Sequence, residues 1–135
     1  MMPFINIKLG DSALNDTQRR SIIKRTTELM AAVMGKRAQV TVVLIESLPY
    51  SQWGIGGQPV TDKSPMPAYV EIKITYGTNS DAEKSKLISE VKGMLTEFVG
   101  TIAEATYVVI QELDADNWGY DGVTQAARKK RQKVP

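Results

Sequence analysis

Residues 4–9 alternate, with Ile5, Ile7 and Leu9 apolar and Asn6 and Lys8 polar between them. A period of two puts the apolar set on one face of a strand and the polar set on the other. Val70, Ile72 and Ile74 against Glu71 and Lys73 repeat that pattern. Behind the first strand, Ile22, Ile23, Leu29, Met30, Val33 and Met34 recur at helical spacing over 17–34. Behind the second, Leu87, Ile88, Val91, Met94, Leu95 and Phe98 do the same. Asn15 or Asp16 can cap the first helix, and Ser80 or Asp81 the second, by accepting from the open amides of the first turn. Gly35 and Gly100 supply the two C-terminal stops. Residues 40–46 and 106–112 are β-branched and apolar, and predict second strands buried on both faces, as central strands are.

These coincidences share one register. Sliding the chain by 65 residues sets Ile7-Lys8-Leu9 on Ile72-Lys73-Ile74, Gly35 on Gly100 and Val43 on Val108, and it ends with Trp53-Gly54 on Trp118-Gly119. A tryptophan-glycine pair shared at one offset identifies a tandem duplication of a β-α-β unit. Each unit closes as a right-handed crossover with parallel strands. Two units therefore predict an α+β domain, a four-stranded sheet with both helices on one face. The expected organisation is one domain, with repeats at 3–62 and 66–127 and a basic tail at 128–135. A chain of 135 residues leaves the second sheet face uncovered, and apolar second strands there imply self-association.

Met2-Pro3 ahead of the first strand, the unit length, and Trp53-Gly54-Ile55-Gly56-Gly57 after the second strand together resemble the tautomerase superfamily. Each half is similar to a 4-oxalocrotonate tautomerase subunit. Met66-Pro67-Ala68-Tyr69 resembles a second such start, with Met66 as the remnant initiator of a fused copy. The resemblance spans about residues 2–127 and implies a homotrimer of fused chains with their sheets facing inward.

Composition narrows the chemistry. The chain contains neither Cys nor His, which removes a thiolate nucleophile, disulfides, a Cys/His zinc site and imidazole acid–base work. No metal site and no cofactor are expected. Net charge is +2, yet Arg128, Lys129, Lys130, Arg131 and Lys133 crowd the end and leave the rest acidic. That run predicts a solvated, partly disordered terminus. Without interleaved basic and aromatic residues on the strands, no nucleic-acid partner is expected. No apolar run reaches membrane-span length, and the start lacks a basic region followed by an apolar block. The expectation is a cytoplasmic protein without a membrane partner.

The resemblance implies that Pro3 is the catalytic base. A free prolyl nitrogen is a rigid secondary amine, and partial burial beside cations lowers its pKa toward the operating pH. As written, Pro3 follows Met1-Met2 and its nitrogen is an amide. Trimming does not remove Met1 ahead of a bulky Met2, so the expectation is a start at Met2 followed by exposure of Pro3. Pro67 is internal and cannot be a base.

The family also grips substrate carboxylates with arginines in the loop after the first strand and in the second strand. The matching segments, Gly10-Asp11-Ser12-Ala13-Leu14 and Val40-Thr41-Val42, then Thr75-Tyr76-Gly77-Thr78-Asn79 and Thr106-Tyr107-Val108, hold none. Dicarboxylate substrates are therefore disfavoured. Tyr107 occupies the strand slot where the macrophage migration inhibitory factor branch carries a tyrosine near a neighbouring subunit's proline, and it is expected in catalysis. Gly35-Lys36 resembles that branch's Gly-Lys, so Lys36, with Arg37 beside it, is expected to bind a carboxylate as a point charge or a fork. Trp53 matches the aromatic wall of the family pocket, with Trp118 as a structural copy. Asn6 and Lys8 leave the strand face near Pro3 and are expected to meet solvent or the trimer.

The expected function is cofactor-free proton transfer between keto and enol forms of a small 2-keto monocarboxylate. Alternatives are a dehalogenase, hydratase or decarboxylase on the same scaffold, or a catalytically dead trimeric binding protein if the proline stays capped.

Overall fold

The computed structural model describes residues 2–10 and 14–133, the last two without their side chains. Met1 and residues 11–13 of the first arginine-free loop lie outside the described residues. The first unit is β1 (Phe4–Gly10), α1 (Asp16–Met34) and β2 (Val42–Leu48), followed by a hairpin of β3 (Gly54–Ile55) and β4 (Gln58–Pro59). The second is β5 (Ala68–Thr75), α2 (Asp81–Val99) and β6 (Tyr107–Leu113), followed by β7 (Gly119–Tyr120) and β8 (Val123–Thr124). A final helix, α3 (Gln125–Lys133), closes the chain.

The four long strands form one sheet in the order β2-β1-β5-β6. β1 runs parallel to β2 and β5 parallel to β6, whereas β1 and β5 are antiparallel, with Ile7 opposite Val70 and Phe4 opposite Lys73. The two units are thus related by an approximate two-fold axis through the β1–β5 seam. Its consequence is positional: the start of each unit lies beside the end of the other unit's first strand.

Burial follows the period-two pattern of the first strands. Ile5, Ile7, Leu9, Val70, Ile72 and Ile74 are fully buried against the helices. The helices answer with Ile22, Leu29, Met30, Leu87, Val91 and Leu95. Ile23 and Ile88, at the same place in the two repeats, turn outward and remain 42% and 40% exposed. Both belong to the apolar stripe of their helix, and both lie on its rim.

The two long helices, α1 and α2, each begin with a reciprocal capping box. Asn15 Oδ1 accepts from Gln18 N at 2.8 Å while Gln18 Oε1 accepts from Asn15 N at 3.0 Å. Ser80 and Glu83 repeat this at 3.1 and 2.8 Å. The far ends are closed across the repeats. Asn79 Nδ2 donates to Met34 O at the end of α1, and Gln18 Nε2 donates to Phe98 O near the end of α2. Asn15→Ala and Ser80→Ala are each expected to lower stability by about 1 kcal/mol, measured as a shift in the urea midpoint at unchanged slope. A cost near zero in both would mean that the capping boxes contribute nothing.

Two expectations are corrected. The second strands are not central: β2 and β6 are the edges of the sheet, and one of their faces is open. Val43, Ile45, Val108 and Ile110 pack on the core, while Val42, Leu44 and Val109 stay between 37% and 44% exposed. A strand apolar on both faces indicates two covered faces, and the chain itself covers one. The middle of the open face is polar, with Asn6 donating to Glu46, Tyr69 donating to Glu71, and Lys73 paired with Glu71 at 3.5 Å.

The basic end is also not an irregular tail, since residues 125–133 are helical. Gln125 N donates to Trp118 O and Ala126 N to Ala115 O, anchoring α3 to the second hairpin. Arg128 then stacks on the Tyr120 ring at 3.7 Å and donates to Tyr120 O at 2.9 Å. Lys129, Lys130 and Arg131 remain exposed, as a solvated run should, and Arg128 alone meets a ring, eight residues back.

Candidate active site

Pro3 lies buried at the head of β1, where the missing N–H removes no ladder bond, and its carbonyl accepts from Val42 N. Extending the β1–β5 register two residues past Phe4–Lys73 sets Met2 opposite Thr75, so Pro3 meets the terminal residues of β5. Besides the start of β2, this end of the sheet receives the C-terminal end of α1 and the ends of β5 and β6 from the second repeat.

Lys36 is brought there by the helix stop. Gly35 adopts φ 69°, a left-handed turn that costs glycine nothing, and Lys36 N closes it on Met30 O. The side chain then runs inward until only 4% of the residue is exposed. Its Nζ donates to Thr78 Oγ1 at 2.9 Å. Among the described residues it forms no ion pair. Burial holds the Lys36 ammonium below the usual lysine pKa, and the field of Glu83 offsets part of that. Arg37, one residue on, points into solvent, so the structure does not bring the two cations together.

The turn that receives Lys36 is tightly held. Thr78 Oγ1 donates to Thr75 O at 2.7 Å, Tyr76 N donates to Leu113 O at 2.8 Å, and Gly77 N donates to Glu112 Oε2. Glu112 in turn accepts from Lys84 Nζ at 2.8 Å. Thr75, 3% exposed, takes a bond from Trp118 Nε1 at 3.1 Å through its hydroxyl. Pro3, Lys36, Thr75, Thr78 and Trp118 thus gather at one end of the sheet.

Trp53 and Tyr107 gather at the other. They line a cleft of about 320 Å³ with Pro67, Ala68 and Tyr69. Trp53 Nε1 donates to Leu48 O, and Tyr107 is 70% exposed at the rim. Pro67 is an internal imide whose carbonyl accepts from Gly10 N. Within one chain, then, the aromatic at the Pro3 end of the sheet is Trp118, and the one lining the cleft with Pro67 is Trp53. The exchange follows from the antiparallel seam. Thr75, Thr78 and the placement of Trp118 were missed, and the signal available for them was the pairing of two duplicated units about a two-fold.

The Lys84–Glu112 contact has a pH signature. Its hydrogen bond to Lys84 holds the Glu112 carboxyl below the usual 4.5, against some desolvation. A carboxylate whose folded pKa is depressed stabilises fully above the unfolded value and loses that contribution as pH falls through the folded one. Stability should therefore decline as pH falls below about 4.5, and Glu112→Gln should flatten that part of the urea-midpoint profile. An unchanged acid limb would remove Glu112 from the account.

Comparisons with known proteins identify the family and the fold. The family model described as "Tautomerase enzyme" matches twice, at residues 3–63 and 69–128. The chain belongs to the tautomerase family. A probable tautomerase K2 of Dickeya dadantii is 36% identical over 62 residues, which is 46% of this chain and 92% of that relative. A solved fused 4-OT, described as a wild-type asymmetric trimer, superposes with a TM-score of 0.81 at 20% identity, covering 93% of this chain and 98% of that one. A macrophage migration inhibitory factor-like protein from Entamoeba histolytica gives 0.73 at 22% identity, covering 90% and 97%. The chain therefore shares its tandem β-α-β fold with that fused 4-OT and with the migration inhibitory factor-like protein. Among the described residues no helix is long and apolar enough to cross a membrane.

Proposed function

We propose that the chain is a cofactor-free tautomerase acting on a small 2-keto monocarboxylate. The mature protein begins at Pro3, and the free prolyl nitrogen is the base. It takes the enol O–H proton and a proton returns to carbon, so that C=C–O–H becomes H–C–C=O with no gain or loss of atoms or electrons. Met2 is only 9% exposed, so its removal both creates the amine and opens space beside it. Burial at the strand head disfavours the protonated form and so favours the free amine that can accept a proton.

The observation that carries the reading is Lys36: a buried cation without an ion-pair partner among the described residues, at the end of the sheet where Pro3 begins. A buried charge left unpaired is costly, and a substrate carboxylate supplies the missing partner. One inward cation suits one carboxylate, since Arg37 faces solvent. Trp118 then supplies the apolar wall. The proposed assembly is a homotrimer through the open sheet face. Unpaired edge strands and exposed Val42, Leu44 and Val109 support it, and the fused 4-OT relative is itself described as a trimer. Tyr107 would reach a Pro3 only across that interface.

Two measurements test the reading. Intact mass of the purified protein should show a chain beginning at Pro3, and that chain should accelerate ketonisation of phenylenolpyruvate. A retained methionine ahead of Pro3 together with undiminished turnover would sink the proline-base mechanism.

A further inference from the structure

We infer that Thr78, from the second repeat, is the positioning residue that holds the Lys36 ammonium of the first repeat in its carboxylate-binding orientation. This rests on the reading of Lys36 as the substrate's carboxylate partner, and it adds a residue that touches no reacting atom.

The hydroxyl has one proton to give, and the geometry fixes its direction. Thr78 Oγ1 lies 2.7 Å from Thr75 O, a carbonyl that can only accept. The proton is committed there, so toward Lys36 Nζ at 2.9 Å the oxygen presents a lone pair. Lys36 is therefore the donor, using one of its three N–H groups and keeping two for a ligand. A lysine stem has four rotatable bonds, and fixing them costs rotamer entropy. A hydroxyl already oriented by its own carbonyl removes that freedom before substrate arrives.

The tether is built into the fold. Thr78 sits in the turn pinned by Leu113 O, Glu112 and Thr75, and Thr75 also holds Trp118. Asn79, the next residue, bonds Met34 O at the end of α1, two residues before Lys36. The cation of one repeat and the aromatic wall of the other are thus registered through a single turn. Among the described residues no charged group replaces the hydroxyl: Glu83, engaged with Ser80 N and Asn79, is the carboxylate whose field reaches Lys36, and it makes no ion pair with it.

The test uses Thr78→Val, which keeps shape and removes the acceptor, and Thr78→Ser, which restores it. Thr78→Val should raise KM for phenylenolpyruvate about tenfold, the scale of one hydrogen bond to a charged group, while kcat stays within about twofold. Thr78→Ser should return KM to near the parent value. Independently of turnover, NMR titration of Lys36 Nζ should show its pKa falling further in Thr78→Val and recovering in Thr78→Ser, because a bond to the charged form has been lost and regained. An unmoved Lys36 titration in Thr78→Val overturns the tether whether or not the protein turns over. A moved and rescued titration upholds it even if Pro3 proves not to be the base. Loss of kcat without a change in KM would also overturn it.

Discussion

Pro3→Ala is expected to lower kcat for enol-to-keto conversion by roughly 10²- to 10⁴-fold, the range a positioned general base contributes. Alanine is small enough for the same methionine trimming, so the variant still ends in an amine. What it loses is the ring. A pyrrolidine fixes its nitrogen relative to the strand, whereas the primary amine of alanine rotates freely and is more strongly solvated. Placement, rather than the presence of a base, is what the variant removes, and small misplacements of a reacting group cost rate steeply. The fold should be indifferent. Pro3 contributes its carbonyl to Val42 N, and alanine keeps that carbonyl. Stability should therefore stay within about 0.5 kcal/mol of the parent. Turnover that survives Pro3→Ala at the parent rate would leave the mechanism without its base.

How far the sequence carried this picture differs by element. The first strands and both helices were legible because their periodicity is local: Ile5, Ile7 and Leu9 are buried for the same reason they alternate. The sheet order was not. Val42, Leu44 and Val109 have the apolar character of a covered face, yet in the chain they lie on the open side of edge strands. Local pattern reports that a face is apolar and says nothing of whether its cover comes from the same chain.

The site shows the same limit. The Gly-Lys after a helix marks Lys36, the structure adds its burial and its bond to Thr78, and its role toward a carboxylate is the proposal made above. Trp53 and Trp118 exchanged places because proximity here is decided by the antiparallel β1–β5 seam, which sets each repeat's Trp-Gly turn at the other repeat's start. Thr75 and Thr78 carry no signature of their own. They matter through what the seam brings to them. The basic helix escaped for a related reason, since the Arg128–Tyr120 stack depends on a hairpin that a charge run does not encode.

Ile72→Ala should be among the most destabilising single truncations, by about 2–5 kcal/mol. Ile72 is fully buried on β5, a central strand, opposite Ile5 on β1 and Ile110 on β6. Both neighbours are fixed by the sheet and cannot close the gap, so the lost transfer free energy is joined by a cavity cost. The loss should appear as a lower urea midpoint at constant slope. Val109→Ala is the paired control, one strand over on the opposite face and 37% exposed. In the chain alone it should cost less than about 1 kcal/mol, because the side chain still meets water when folded. If the open face is the trimer contact, that small cost should become dependent on protein concentration, while the Ile72→Ala loss persists at every concentration. Equal, concentration-independent losses in both variants would mean that the two faces of this sheet are covered alike within one chain, contrary to the burial that separates them.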